Sequence, residues 1–307
     1  MRRQATILVL LAAVAGNSLH GQNALLISEL LYQPRSGEAE YVELYNNSDS
    51  SIDLAGYHIV RWVGDSLGRH YALPSRMVAP HDYVVLTKDA ASVTANYEVR
   101  QLSKLLECQL PTYPNNGGSV VVATADSSVV DRLDYRPAMH SRLLRNKAGV
   151  ALERRSFTRA TNDDGNWFSA SSTSGYGTPG YANSQSTEYL VEEASFVFSS
   201  TLISPDGDGY QDALTIDYQL DDGGLTARAE VYDGHGIAVR RLLNGALLGT
   251  HGTIEWDGRG NDGQGLPQGQ YLVRLTLYDV SGTRQIIKRM VGLITPPPLL
   301  DSTLSVT

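Results

Sequence analysis

The feature that most constrains the fold of this chain is a two-residue alternation of apolar and polar side chains in short segments. In LTIDYQL (214–220), an apolar side chain falls on every second residue, and QYLVRLTLYDV (270–280) repeats the same period. GSVVVATADSSVVDRLDY (118–135) contains two β-branched runs around the turn ATADSS. Because successive side chains of a strand point to opposite faces, this pattern predicts half-buried β-strands.

Helical periodicity is confined to two short stretches. KDAASVTANYEV (88–99) and QLSKLLECQL (101–110) are each long enough for one or two turns. The other segments are short strand patterns separated by Gly, Pro and Asn. Many short strands with this punctuation predict an all-β protein built as a sandwich or barrel.

Composition excludes several classes of protein. The chain has 307 residues, 42% of them hydrophobic, and a formal net charge of −8. These values are typical of a globular protein of one to three domains. The acidic balance gives no reason to expect nucleic acid, which is bound by clustered Lys and Arg. The single cysteine, Cys108, excludes an internal disulfide.

The N-terminus has the layout of a secretory signal peptide. Arg2 and Arg3 precede the apolar run ATILVLLAAVAG (5–16), and the polar NSLHGQ follows. The apolar run is too short for a stable membrane span, so we predict a signal peptide over 1–22 and a mature chain without a transmembrane span. The predicted destination is the periplasm, the outer-membrane surface or the medium, and the sequence leaves these alternatives open.

Composition also marks a boundary between two strand-rich blocks. SASSTSGYGTPGYANSQSTEY (169–189) is rich in Ser, Gly and Thr and lacks a hydrophobic stripe, which is typical of an exit loop and linker. Three prolines in TPPPLLDSTLSVT exclude a central strand at the C-terminus. The predicted organisation is a signal peptide (1–22), a first domain (23–185), a linker (186–193), a second domain (194–294) and a Pro-rich tail (295–307).

The first block resembles the lamin-tail domain, an Ig-like sandwich. The resemblance lies in LLISELLYQPRSGEAEYVELYNNSDSSIDLAGYHIV (25–60) and continues through LPSRMVAPHDYVVLTK and GVALERRS to NDDGNWFSASSTSGYGTPGYANSQ. This ending is similar to versions found in exported Bacteroidetes proteins. The resemblance covers roughly residues 25–185 and implies an Ig-like fold.

The second block resembles the Ig-like domain of the flagellar hook-capping protein and its relatives. The shared segments are SPDGDGYQDAL, AEVYDGHGIAVRRL and WDGRGNDGQGLPQGQY. The relatives include gliding-motility-associated C-terminal domains, which act as sorting signals for type IX secretion. VYDGHG lacks the aromatic-Trp-Gly turn of that sorting family. The two resemblances together predict two Ig-like β-sandwich domains in tandem.

The stretch TLISPDGDGYQDAL (201–214) contains the strongest candidate metal ligands. Asp206, Asp208 and Asp212 follow the Asp-x-Asp-Gly-x-x-Asp spacing of calcium loops, in which carboxylates and carbonyls supply oxygen ligands. The alternative is a tight turn in which the glycines adopt positive φ and the aspartates accept hydrogen bonds from local N–H groups. We predict a turn whose three carboxylates are candidate ligands of a weakly bound calcium ion; no other cofactor is predicted.

Other chemical patterns are interpreted as structural. GYGTPG (175–180) and GRGNDG (258–263) match a dinucleotide-binding spacing, but neither follows a strand and opens a helix. IEWDGRGNDGQGLPQGQY (254–271) is predicted to bury Trp256 and to turn between two strands. A metal site at Asp257, Asn261 and Asp262 is the alternative for that loop.

The sequence predicts no catalytic residues. The seven histidines lack zinc spacing, and no nucleophile elbow occurs. Glu29, Glu40 and Glu43 form an acidic group that we interpret as surface charge on an edge strand rather than as an acid–base pair. Cys108 has only Lys104 as a nearby cation and is not predicted to be a catalytic thiol.

These patterns predict an exported, non-enzymatic protein of the cell envelope or surface. Its expected partners are envelope proteins or glycans, and the C-terminal domain is a candidate secretion or assembly signal. One alternative is a carbohydrate-binding module with an aromatic strip formed by Trp62, Tyr71 and Tyr113. The other is a hydrolase with a metal at the acidic loops. The oligomeric state is not predicted.

Overall fold

The computed structural model describes residues 24–294. The predicted signal peptide (1–22) and Pro-rich tail (295–307) lie outside the described residues. Within residues 24–294, no helix is both long and apolar enough to cross a membrane.

The first strand-rich block forms fourteen strands and one helix within residues 25–169. They are β1 (Leu25–Leu31), β2 (Tyr41–Asn46), β3 (Ile52–Asp53), β4 (Tyr57–Val60), β5 (Trp62–Val63), β6 (Ser66–Leu67), β7 (Tyr71–Ala72), β8 (Met77–Val78), β9 (Tyr83–Thr87), α1 (Ala90–Asn96), β10 (Leu105–Glu107), β11 (Gly118–Thr124), β12 (Val129–Tyr135), β13 (Leu152–Arg154) and β14 (Trp167–Ser169). The predicted helical turns are thus α1, capped by the Asp89 carboxylate, and a single 3-10 turn at Leu102–Lys104.

Two sheets of this block form a sandwich. One has the strand order β10-β9-β2-β1-β13-β14 and the other β12-β11-β4-β7. Pairing is antiparallel except between β9 and β10. Apolar side chains from both sheets fill the space between them, among them Ile27, Leu44 and Val122. The outer face of the six-stranded sheet is also buried, because α1 covers Leu31, Tyr41 and Val85 there.

A buried ion pair joins the two sheets of this sandwich. The Arg154 guanidinium lies 3.3 Å from the Asp131 carboxylate, and both side chains are almost fully buried. Asp131 also accepts hydrogen bonds from the Ile27 N–H and the Thr161 hydroxyl. A buried ion pair of this kind is costly to break on one side, since the remaining charge loses its partner.

The second block forms eight strands. They are β15 (Ser195–Phe198), β16 (Leu202–Ile203), β17 (Leu214–Gln219), β18 (Thr226–Tyr232), β19 (Ala238–Leu247), β20 (His251–Trp256), β21 (Gly269–Asp279) and β22 (Gly282–Leu293). A three-stranded sheet, β15-β17-β20, faces a five-stranded sheet, β16-β22-β21-β18-β19. The alternation predicted for 214–220 and 270–280 is confirmed. In β17, Leu214, Ile216 and Tyr218 are buried and the intervening residues less so; in β21, the buried residues include Tyr271, Val273 and Leu275.

Trp256 anchors the core of the second sandwich, as the sequence predicts. Its side chain is 1% exposed, its ring meets Tyr271 edge-on at 5.5 Å between centroids, and its indole N–H donates to the Arg259 carbonyl. The carboxylates of Asp257 and Asp262 accept hydrogen bonds from the backbone N–H groups two residues further along the chain, and the side-chain Oδ1 of Asn261 accepts the Arg241 N–H. These side chains therefore shape the turn between β20 and β21.

The Ser- and Gly-rich stretch between the blocks is packed. Residues 171–186, which we call the strap, cross the outer face of the six-stranded sheet; most of their side chains from Gly177 to Ser186 are buried. The strap contains one 3-10 turn, Ser172–Ser174, and a second follows at Thr187–Tyr189. The predicted linker residues begin with this second turn, which is tied to the first sandwich by the Thr187 N–H bond to the Arg155 carbonyl.

Candidate functional site

Residues 24–294 bring together an exposed group of three carboxylates and a buried group of three. The exposed group is the predicted one, Asp206, Asp208 and Asp212, in the loop between β16 and β17. One carboxylate oxygen from each of the three lies within 4.8 Å of the others. The structure thus brings the predicted ligands together, and calcium binding by them stays a prediction.

Local backbone geometry explains the shape of this loop. Gly207 and Gly209 have φ of 83° and 87°, a region that glycine adopts without steric cost. The two oxygens of Asp212 accept the N–H groups of these glycines at 2.7 and 2.8 Å. These two hydrogen bonds hold the pKa of the Asp212 carboxyl below its usual value, because they stabilise its charged form.

The other two aspartates make similar contacts. Asp206 accepts the Asp208 N–H at 3.2 Å, and Asp208 accepts the Tyr210 N–H at 2.7 Å. Each carboxylate therefore makes the local bond expected of a turn, and each retains lone pairs for a further partner. A cation at this position would bind carboxylate oxygens that these hydrogen bonds have already oriented.

The buried group lies on the outer face of the six-stranded sheet. Glu29 of β1 stands opposite Glu43 of β2 on one side and opposite Glu153 of β13 on the other. We call these three residues the glutamate row. All three are fully buried. Among residues 24–294, no ion pair involves a member of the row.

The interpretation of Glu29, Glu40 and Glu43 as surface charge on an edge strand is wrong. β1 and β2 are interior strands of the six-stranded sheet. The strap covers the outer face of that sheet, and this buries Glu29 and Glu43. Glu40 precedes β2 and is only partly buried; its carboxylate accepts the Tyr113 N–H at 3.1 Å and does not join the row.

The strap supplies most of the hydrogen bonds that the row accepts, although Glu43 Oε1 has no hydrogen-bond partner among the described residues. Glu29 accepts the Thr178 N–H and, at 2.5 Å, the Tyr41 hydroxyl. Glu43 accepts the Gly180 N–H at 2.6 Å. Glu153 accepts the Ser184 hydroxyl and the Gln185 N–H at 2.8 and 2.9 Å. The row therefore holds the strap on the sheet through main-chain and side-chain donors.

The position of Thr178 favours a proton on the row. Its hydroxyl oxygen lies 3.0 Å from Glu29 Oε2 and 2.8 Å from Glu153 Oε1. A hydroxyl has one hydrogen to donate, so it satisfies one carboxylate only. The second carboxyl makes a favourable contact only if it carries a proton and donates it to the Thr178 oxygen.

The electrostatics of the row agree with this proton count. Burial, and secondarily the charge of Glu153, raises the pKa of Glu29 to about 8. Burial also raises the pKa of Glu153, and burial followed by the charge of Glu29 raises the pKa of Glu43 well above its ordinary value. Removal from water disfavours the charged form of each carboxyl, and the neighbouring carboxyls add repulsion.

Glu153 and Thr178 were not predicted from the sequence. Glu153 follows the apolar run Val150–Leu152 and sits in a strand of three residues whose side chains are all buried. A charged residue within a short apolar run is the available signal. It does not identify Glu29 as the partner, because the β1–β13 pairing joins distant parts of the chain.

The strap also connects the two sandwiches. The Ser171 and Ser172 hydroxyls donate to the Leu247 carbonyl, and the Gln185 amide donates to the Leu248 carbonyl. In return, Thr250 donates its N–H to the Ser184 carbonyl at 2.8 Å. Ser184 thus contacts Glu153 through its hydroxyl and the second sandwich through its carbonyl.

A cleft of about 770 Å³ opens between the two sandwiches. Phe168 and Leu143 contribute apolar surface from the first, and Gly224 and Val280 contribute from the second. Trp167 also borders the cleft but is only 3% exposed.

Two family models match the chain. The Lamin Tail Domain model matches residues 19–137, and the FlgD Ig-like domain model matches residues 200–280. The chain combines a lamin-tail domain with an FlgD-type Ig-like domain. The fold is all-β, with the two Ig-like domains in tandem. The lamin-tail match ends before β13, so the sheet that carries the glutamate row extends beyond the matched residues.

Solved structures give neighbours of low overall similarity. FlgD from P. aeruginosa is 19% identical, with 34% of this chain and 70% of that chain covered and a TM-score of 0.22. PorZ of Porphyromonas gingivalis, an essential surface component of its type-IX secretion system, is 14% identical, with 59% and 21% covered and a TM-score of 0.25.

Dimeric latent PorU from the same organism is 10% identical, with 89% of this chain and 34% of that chain covered and a TM-score of 0.28. This chain therefore spans a minor part of PorZ and of PorU, and similarity at this level supports no functional conclusion. None of the curated proteins compared with the chain matches it significantly.

Proposed function

We propose that this protein is an exported, non-enzymatic interaction protein of the cell envelope or surface. The observation that carries the proposal is the strap: it fixes two Ig-like domains to each other by hydrogen bonds on both of its sides. Such a tandem presents rigid sheet edges and end loops to partners. The signal-peptide pattern of 1–22 supports export.

The candidate reactive groups support a non-catalytic role. The glutamate row is sealed beneath the strap, so its carboxyls do not reach a substrate. Burial raises the pKa of the Cys108 thiol to about 11, which is opposite to the shift that activates a nucleophilic cysteine. The metal-dependent hydrolase alternative would place its metal at Asp206, Asp208 and Asp212, which lie together in the exposed loop between β16 and β17.

The carbohydrate-binding alternative loses one of its three aromatic residues. Tyr113 is 1% exposed and packs in the core of the lamin-tail domain. Trp62 is partly buried beneath the Arg132 guanidinium, which lies 4.3 Å from the ring centroid. Envelope proteins are therefore the favoured partners.

The proposal is tested by the intact mass of the native protein from the cytoplasm, the periplasm, the cell surface and the medium. A mature chain beginning near residue 23 in any of these fractions supports export, and a chain that keeps residues 1–22 in the cytoplasm overturns it. Loss of the block from about Ala194 in surface or medium material assigns that domain a sorting role. Retention of both domains would mean that the mature protein functions with its two domains joined.

A further inference from the structure

The longest strand of the FlgD-type domain has an open edge. β22 pairs along its whole length with β21, whereas on its other side β16 reaches only Gly292 and Leu293. Within the described residues, the stretch 282–291 therefore has one side on which no strand pairs. Ten residues of extended chain span about 33 Å. Unpaired N–H and C=O groups along such an edge are a template for another strand.

The side chains on the outer face of this edge are mixed apolar and basic. Ile287 and Val291 pack toward the core, so Ile286, Lys288 and Met290 point to the opposite face. Ile286 is 47% exposed and Met290 is 52% exposed. Edge strands that only guard against association carry charge and avoid exposed apolar side chains. The β22 edge carries an exposed charged residue, Lys288, and also exposes the apolar side chains of Ile286 and Met290.

Charge indicates which kind of strand fits. β22 contains Arg284, Lys288 and Arg289 and no acidic residue, although the chain has a net charge of −8. Across the sheet, Arg241 pairs with Glu230, Glu230 stands opposite Arg274, and Arg274 stands opposite Lys288. This line of charged residues across the sheet thus ends in two adjacent cations, Arg274 and Lys288, and like charges directly opposite each other are unfavourable in a sheet.

A carboxylate on a strand added at the open edge of β22, opposite Lys288, would continue the alternation of charge across the sheet. A second copy of β22 does not provide one, since it would bring its own cations to the same edge. We propose that the open edge of β22 binds an extended acidic segment of a partner protein by strand addition, with glutamate or aspartate facing Lys288. This deepens the proposed interaction role by naming the chemistry of the partner.

The test uses a capped, fluorescently labelled peptide, Thr-Val-Glu-Glu-Val-Val-Thr, which in antiparallel register places its glutamates opposite Lys288 and Arg289. Its binding to the purified chain lacking the signal peptide is measured by anisotropy at 150 mM salt. Two matched peptides serve as controls: one has lysine in place of both glutamates, and the other is N-methylated at alternate residues. The second control keeps the charge but removes backbone donors.

We expect saturable binding of the acidic peptide, at least about tenfold weaker binding of each control peptide, and a similar loss for Lys288→Glu. Lys88→Glu, at an exposed site in the other domain, should bind like the wild type. Absence of binding at 1 mM peptide, equal binding of the N-methylated peptide, or wild-type binding by a folded Lys288→Glu variant overturns the proposal. Because the purified protein is used, these results are independent of the fractionation experiment.

Discussion

The aspartate loop and the glutamate row contain the same number of carboxylates, and the pKa of Asp212 in the loop and that of Glu29 in the row are shifted in opposite directions. In the loop, backbone N–H donors lower the pKa of the exposed Asp212 carboxyl. In the row, burial raises the pKa of Glu29 to about 8 although it accepts several hydrogen bonds. The comparison shows that the number of donors does not decide the charge of a carboxyl; access to water does.

The two groups also differ in what their contacts hold together. The loop bonds join residues within seven positions of one another, so they define a local turn. The row joins β1, β2 and β13 to the strap, and the strap joins the second domain. Disturbing the row should therefore affect the whole molecule, whereas disturbing the loop should remain local.

The largest expected difference is in the pH dependence of stability. Below its ordinary pKa of 4.5, Glu29 is protonated in both states, and between 4.5 and about 8 the folded chain holds one more proton than the unfolded chain. Its contribution to stability is fully present below pH 4.5 and is lost as pH rises through about 8. The slope is at most about 1.4 kcal/mol per pH unit.

Urea unfolding of the wild type and of Glu29→Gln at pH 5, 6, 7 and 8 measures this slope. Gln imitates the protonated carboxyl, so the wild type should lose stability relative to the variant as pH rises. Asp212→Asn is the matched control: the stability contributed by the charged Asp212 carboxyl is present above its ordinary pKa of 3.8 and is lost only as pH falls through its lowered pKa, so the difference between this variant and the wild type should stay constant from pH 5 to 8. Parallel curves for the wild type and Glu29→Gln would show that Glu29 is not protonated in the folded state.

The second difference is the value of one hydroxyl–carboxyl contact. Thr178→Val keeps the shape of the side chain but leaves Glu29 and Glu153 without the hydroxyl between them, at a cost of about 2–4 kcal/mol. Ser204→Ala removes the hydroxyl that bonds Asp206 in the exposed loop, where water replaces it, and should cost below about 0.5 kcal/mol. Similar unfolding free energies for the two variants would remove the distinction between the sites.

The third difference concerns the path from the row to the second domain. A Cβ at Gly249 would lie 2.5 Å from the Ser184 carbonyl oxygen, so Gly249→Ala must move the backbone of one partner. We expect a loss of about 1–3 kcal/mol and separation of the two domain transitions in calorimetry. Gly207→Ala has open space around its Cβ but a φ of 83°, so its strain should stay within the aspartate loop. A single unshifted transition in Gly249→Ala would exclude the strap as the connection.

Local sequence patterns predicted the parts of the molecule that local contacts determine. Alternation located β17 and β21, and the spacing of Asp206, Asp208 and Asp212 predicted a turn in which these side chains meet. The glutamate row escaped prediction because its burial depends on strand order. Glu43 is buried since β2 lies between β1 and β9, and Glu29 meets Glu153 through a pairing that spans most of the domain. The packing of the strap escaped prediction too, because its Ser- and Gly-rich composition is typical of a linker. The hydroxyl and backbone N–H groups of these residues are the donors that bind the glutamate row.

The smallest effect expected is that of calcium on the aspartate loop. A weak site with a dissociation constant of about 0.1–1 mM stabilises the fold by roughly 1.4 kcal/mol at tenfold excess. The midpoint of thermal unfolding should therefore be higher with 10 mM calcium chloride than with a chelator, and Asp206→Asn combined with Asp208→Asn should abolish the difference. Glu29→Gln should retain it, since the row is sealed from solvent. An equal shift in the loop variant would mean that calcium acts elsewhere. No shift in the wild type would leave the loop as a turn only, held by the hydrogen bonds that Asp212 accepts from the N–H groups of Gly207 and Gly209.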